Sequence, residues 1–191
     1  MIRRDIAAAR WWAHSFARRA AAREAWALCR LDGVDGVPAL LGWDGHELLR
    51  EYIDGAPMQE ARPCGRGYYR DALRLLTRLH RCGMVHNDLA KEPNWLVRED
   101  GSPALVDFQI AWTHGRRGRL FRLLAREDLR HLLKHKRSYC PDALTVCQCA
   151  ILNAPAPHSR LWRATGKRLY KRVARRVFGY WDNEGNGRVR D

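Results

Sequence analysis

The segment Val85-His86-Asn87-Asp88-Leu89-Ala90-Lys91-Glu92-Pro93-Asn94-Trp95-Leu96-Val97, with Asp107 of Val106-Asp107-Phe108-Gln109 thirteen residues after Asn94, constrains this chain more than any other part of it. Trp95-Leu96-Val97 and Ala104-Leu105-Val106 are short apolar pieces separated by the turn signal Glu99-Asp100-Gly101-Ser102-Pro103, a pattern that predicts a hairpin. Asn94 opens that hairpin and Asp107 closes it, so strand pairing would bring both side-chain oxygens to one edge. Asp and Asn are also common turn residues at strand ends, so either piece alone would carry little.

Together and in this order, the two motifs resemble the catalytic loop and the metal-binding motif of protein kinases. The chemistry asks for such residues. Phosphoryl transfer needs a carboxylate to orient the attacking hydroxyl, and oxygen ligands for the Mg²⁺ that neutralises the phosphates. The resemblance implies Asp88 as the catalytic base and positioner, Asn94 and Asp107 as metal ligands, and ATP with Mg²⁺ as cofactors. His86 is expected to brace the loop by bonding to backbone near Asp107, with metal ligation as the less favoured alternative. Two departures stand out: Asn87 replaces the Arg of many kinases, and six residues rather than five separate Asp88 from Asn94.

The flanking segments extend the resemblance. Tyr68–Cys82 places Leu73, Leu76, Leu79 and His80 at helical spacing, and Gly83 ends the helix before Met84-Val85-His86. It is similar to the long helix that precedes the kinase catalytic loop. Leu48 to Gly55 resembles the kinase hinge, which implies backbone contacts from Glu51 and Ile53 to an adenine edge. Between Val34 and Asp54 two strands are expected to meet at the Asp44-Gly45 turn.

Ala7 to Leu31 lacks Gly and Pro and reads as one long helix. Phe16, Ala20, Glu24, Leu28 and Leu31 fall on one expected stripe, and the neighbours of Glu24 three and four residues away are Ala20, Ala21, Ala27 and Leu28. No cation on its own helix can pair with Glu24. Either a partner comes from elsewhere, as the kinase strand lysine does, or Glu24 sits solvated at the stripe's edge. The cations on the preceding stretch are Arg3 and Arg4, and Arg4 is the preferred match. An arginine carries the charge without the compact ammonium geometry, so it would place phosphates differently.

The fold expected is α+β and protein-kinase-like, with a truncated N-lobe over 1–54, a mainly helical C-lobe with the catalytic-loop hairpin over 55–178, and a tail over 179–191. The truncation reflects the missing glycine-rich loop and first two strands. Gln109 in place of Gly and the lack of an Ala-Pro-Glu motif after Asp107 make the chain look similar to small atypical kinases, of the RIO type and the bacterial lipopolysaccharide (Kdo/heptose) type.

Charge narrows the partners. Thirty-five Lys and Arg against twenty-one Asp and Glu give +14 over 191 residues, which favours polyanions. Six cysteines follow no secreted framework, no run approaches the roughly 20 apolar residues of a membrane span, and a cytoplasmic location is expected. Beyond Gly118 the chain reads as a basic helix to about Lys136, and again from Arg160 to Val177. The second helix either packs on the main lobe or faces anionic glycolipid at the inner face of the membrane. His131, His135, Cys140, Cys147 and Cys149 could surround zinc in principle, but no CxxC pair supports it and Lys134, Lys136 and Arg137 would repel the ion.

Two functions follow from these readings. One is an ATP- and Mg²⁺-dependent kinase acting on an unidentified hydroxyl acceptor, protein or anionic glycolipid. The other is a catalytically inactive nucleotide- or polyanion-binding module whose basic surface does the work. Nucleic acid is the less favoured polyanion.

Overall fold

The protein is described from a computed structural model that covers residues 1–6, 10–115 and 117–154. The basic segment Arg160–Val177 and the tail 179–191 lie outside the described residues.

The N-terminal stretch, unassigned on sequence alone, is strand β1 (Ile2–Asp5). A 3₁₀ turn at Trp11–Ala13 leads into helix α1 (His14–Arg30), later than the expected start at Ala7. Strands β2 (Leu40–Trp43) and β3 (Glu47–Arg50) form the anticipated hairpin. Asp44 Oδ1 shapes its turn by accepting the backbone N–H groups of His46 and Glu47 at 2.8 and 2.6 Å. The three strands make an antiparallel sheet in the order β1-β3-β2, with α1 against it.

Alanine makes that packing close. The buried face of α1 is Ala21, Glu24, Ala25, Ala27 and Leu28, so four of five buried residues are apolar and three are methyl-sized. Phe16 departs from the expected stripe and is 74% exposed. Each step of four residues overshoots a helical turn by about 40°, so three steps back from Leu28 rotate Phe16 off the buried side.

Beyond the hinge come β4 (Ala56–Pro57), the one-turn helix α2 (Met58–Ala61) and helix α3 (Arg66–Arg81). Leu75, Leu76 and Leu79 of α3 enter the main core, whereas Leu73, expected on the same side, stays 37% exposed outside it. Gly83 follows in the left-handed region at φ +74°, and β5 (Met84–Val85) runs directly into His86. The second expected hairpin is β6 (Trp95–Val97) with β7 (Pro103–Leu105), joined by β4 into a three-stranded sheet. Strand β8 (Trp112–Thr113) pairs with β5. Helix α4 (Arg119–Tyr139) and helix α5 (Val146–Asn153) complete the described chain. Trp95, Leu105, Phe108, Leu132 and the α3 leucines share one core, so the polar loop 86–94 is braced from below by buried apolar surface. No described helix is long and apolar enough to cross a membrane.

Candidate active site

The loop between β5 and β6 is held by a carboxylate from far along the chain. Asp128, 1% exposed on α4, accepts the backbone N–H of His86 through Oδ2 at 2.8 Å and that of Asn87 through Oδ1 at 3.0 Å. His80 Nε2 stands 3.4 Å from the same Oδ2. Asn87 takes φ +65°, a left-handed value that Asn tolerates better than most residues, and its side-chain Nδ2 donates to Ile110 O at 3.1 Å. Loop residues 86 and 87 are thereby tied both to α4 and to the segment after Asp107.

His86 is fully buried, and burial depresses its pKa against the pull of Asp128. Its Nε2 contacts Val106 O at 3.0 Å, so the neutral ring carries its proton on Nε2 and braces the residue before Asp107. His135 does the same from α4: it is buried, its pKa is lowered by burial, and Nε2 donates to Leu89 O at 2.8 Å.

The extra residue between Asp88 and Asn94 is absorbed by a 3₁₀ turn over Glu92–Asn94. Tyr139 anchors that turn through a 2.6 Å bond to Glu92 Oε2. Asn94, buried at the turn's end, donates from Nδ2 to Asp88 O at 2.9 Å. The amide nitrogen is thus spent on the loop and the oxygen is the atom left for a ligand. Val106 N donates to Asn94 O at 3.1 Å, which brings the two ends of the hairpin together. Asp107 follows at φ +66°, and its Oδ1 is buried without a hydrogen-bond partner among the described residues. Asp88 carries Lys91 Nζ at 2.8 Å from Oδ2.

The second group of charges lies under the upper sheet. Glu24 is 0% exposed, and Arg4 Nη1 donates to its Oε2 at 2.7 Å. Arg50 Nε stands 3.2 Å from Oε1, close enough for charge pairing, although no donor meets Oε1 with hydrogen-bond alignment. Burial raises the Glu24 pKa, Arg4 and then Arg50 pull it back, and the nearby Asp107 adds to the rise. The solvated alternative for Glu24 is therefore set aside. Among the described residues, Arg4, Arg50, Glu24 and Asp107 form a charge-balanced group that joins α1, the sheet and the end of the hairpin.

At the hinge, Glu51 N donates to Ala39 O at 2.9 Å, which leaves its carbonyl as the free backbone group. Ile53 makes no backbone hydrogen bond among the described residues. A cavity of about 730 Å³ opens there, lined by Leu31, Val34, Val37, Glu51 and Ile53 among others, but Arg4, Glu24, Asp88, Asn94 and Asp107 do not border it. The cavity has charged lining residues of its own, among them Asp35, Asp54, Arg98 and Asp100. The candidate site is placed on the carboxylates because Asn94 and Asp107 come together there at the ends of the hairpin.

The sequence model of the RIO domain matches residues 5–148, most of the chain and every charged group just described except Arg4. This chain belongs to the RIO domain family. Among solved structures, it is similar to the Rio2 kinase from Chaetomium thermophilum at 18% identity and a TM-score of 0.55, over 78% of this chain and 56% of that one. It is also similar to the Rio2 kinase-ADP/Mg²⁺-phosphoaspartate complex from the same organism, at 19% identity and a TM-score of 0.53, over 81% of this chain and 51% of that one. This RIO domain thus spans little more than half of those kinases, and the likeness shows a protein-kinase-like α+β fold. No curated protein matches the chain.

Sequence reasoning does not find Asp128, Arg50 or Lys91. Asp128 carries a signal, since it shares the helical spacing of Phe121, Leu132 and His135 on the apolar side of α4. Arg50 carries a weaker one, sharing strand parity with the buried Leu48.

Proposed function

We propose that this RIO domain is an ATP- and Mg²⁺-dependent phosphotransferase that moves the γ-phosphoryl group to a hydroxyl acceptor. The observation that carries the reading is the buried, unpartnered Oδ1 of Asp107 beside Asn94, whose side chain is tied to the carbonyl of Asp88. A buried carboxylate oxygen without a donor is costly, and a divalent cation is the partner that suits it. Asp107 and the Asn94 amide oxygen are the ligands in this reading. The cation would neutralise phosphate charge and hold the β- and γ-phosphates in place.

Asp88 orients the acceptor hydroxyl and takes up its proton as the new O–P bond forms and the bond from the γ-phosphorus to the β-bridging oxygen breaks, releasing ADP. Lys91, beside Asp88, places an ammonium where phosphoryl oxygens arrive. Arg4, held by Glu24, supplies the second cation, and the Glu51 carbonyl with the Ile53 backbone meets the adenine edge. Residues 1–54 and the described part of the lobe expected over 55–178 act as the two lobes around the nucleotide. The acceptor is a protein hydroxyl or an anionic glycolipid. The net charge of +14 favours an anionic one.

A second reading draws on the neighbour that holds phosphoaspartate. Asp107, with one carboxylate oxygen unengaged, would attack the γ-phosphorus itself, forming an acyl phosphate and ADP that water then resolves.

The deciding experiment is calorimetric titration of ATP with and without Mg²⁺ on the wild type and Asp107→Asn, in moderate salt to suppress attraction to the basic surface. Metal-dependent binding lost in the variant supports the site. Equal or absent binding in both rejects it and leaves the non-catalytic module.

A further inference from the structure

The buried arginine at the end of β3 has no role in the scheme above. Arg50 is 9% exposed and immediately precedes the hinge residue Glu51. In the antiparallel register of β1 with β3, Arg4 pairs with Leu48 and Ile2 with Arg50. Paired residues share a face, and so do residues two apart. Arg4 and Arg50 are therefore diagonal neighbours on the side that carries the buried Leu48 and meets α1. Glu24 reaches that side from α1 and bridges them, one carboxylate oxygen to each guanidinium, at 2.7 and 3.2 Å.

The two arginines are not equivalent. The Arg50 side chain is 11% exposed and the Arg4 side chain 38%, so Arg50 is the inner member of the pair and Arg4 the one open to a ligand. Among the described residues, Arg4 meets a carboxylate only through Nη1, which leaves other donors of its guanidinium fork available. If Arg4 were the sole counter-ion of a fully buried glutamate, any phosphate would have to compete with that glutamate for it. We propose that Arg50 is a positioning residue, the inner counter-ion that carries the charge of Glu24 so that Arg4 can turn its guanidinium to the phosphates of a bound nucleotide. This rests on the nucleotide-binding reading of the site.

Removing Arg50 then produces a specific defect. Glu24, facing among the described residues Arg4 from β1 and Asp107 from the hairpin's end, monopolises Arg4. MgATP binding weakens while binding of adenosine, which lacks phosphates, does not. Removing the charge of Glu24 by substitution releases Arg4 and restores affinity. A role confined to packing, or a direct contact between Arg50 and phosphate, predicts no such rescue.

The test is calorimetry with MgATP and adenosine on the full chain, comparing wild type, Arg50→Leu, Arg50→Lys and the double variant Glu24→Gln/Arg50→Leu. Arg50→Leu is expected to weaken MgATP about tenfold, a charged hydrogen bond's share of affinity. Arg50→Lys keeps most of the affinity, and the double variant recovers toward wild type. Should Arg50→Leu not fold, the double variant decides: a deficit well short of tenfold, with only the small loss that a less firmly held Arg4 brings, supports the role, and a full tenfold deficit overturns it. Wild-type binding with an unchanged Arg50→Leu also overturns it, with the nucleotide reading intact. Absence of Mg²⁺- and Asp107-dependent ATP binding in the wild type defeats the nucleotide reading and this proposal with it.

Discussion

Asp128 and His86, 42 residues apart in sequence, meet where the buried carboxylate accepts the backbone N–H that opens the loop 86–94, at 2.8 Å. The second oxygen takes the next N–H, from Asn87. Asp128→Ala would strand one buried and one part-buried amide, at about 1–3 kcal/mol for the buried one and less for the other. We expect urea unfolding to register a loss of about 2–4 kcal/mol. Asp128→Asn should cost less, because one amide oxygen still serves one of the two donors. A loss below the error of the measurement would mean that the loop holds itself.

Asp88 and Asp107 should separate by function. Asp88→Ala is expected to abolish phosphoryl transfer while leaving MgATP binding within a few-fold of wild type, because the proposed role of Asp88 is toward the acceptor and not the nucleotide. Asp107→Asn should weaken metal-dependent binding itself. Single-turnover transfer paired with calorimetry checks both, and equal loss of binding in the two variants would contradict the division of roles. Trapping an acyl phosphate on Asp107 with hydroxylamine would instead favour the aspartyl route.

Acid should destabilise the fold before carboxylates titrate. Burial lowers the pKa values of His86 and His135, and that of His131 to about 4. The unfolded chain therefore binds more protons at these residues below about pH 6.5. Their neutral-state stability is fully present above that pH and is lost as pH falls toward the folded values, at up to about 1.4 kcal/mol per unit for each ring. Glu24 works in the opposite direction, because its raised pKa favours the folded state as pH falls. Calorimetric melting between pH 7.5 and 5 should show a falling Tm. A flat or rising profile would mean that these rings are solvated.

Gly83 is needed for two reasons. It sits at φ +74°, and a Cβ there would lie 2.9 Å from His114 O, the backbone that closes onto β5. Gly83→Ala should cost about 1 kcal/mol for the left-handed conformation and more for the clash. Thermal melting reads it directly, and a neutral result would show that the β5–β8 junction yields easily.

Much of the site is legible in the amino-acid sequence. Asp88, Asn94 and Asp107 stand out because turn residues, short apolar strands and their order are local properties, and the hairpin that joins Asn94 to Asp107 spans only a few residues. Glu24 stands out as an acid on an apolar face, and Arg4 as the nearest preceding cation. The first turns of α1 do not follow the expected stripe, because a stripe written in steps of four drifts around a helix of 3.6 residues per turn, which puts Phe16 into solvent.

Sequence alone therefore specifies the short elements and the three polar residues at the hairpin's ends, since periodicity and turn chemistry act within a few residues. Which distant groups answer them is a property of the tertiary structure. Asp128 reaches His86 only because α4 packs against β5, and Arg50 joins Arg4 on Glu24 only because β1 pairs with β3 in one register. A buried charge must find its counter-charge or donor through space, and nothing in the chain between the partners specifies which of several candidates packing will deliver.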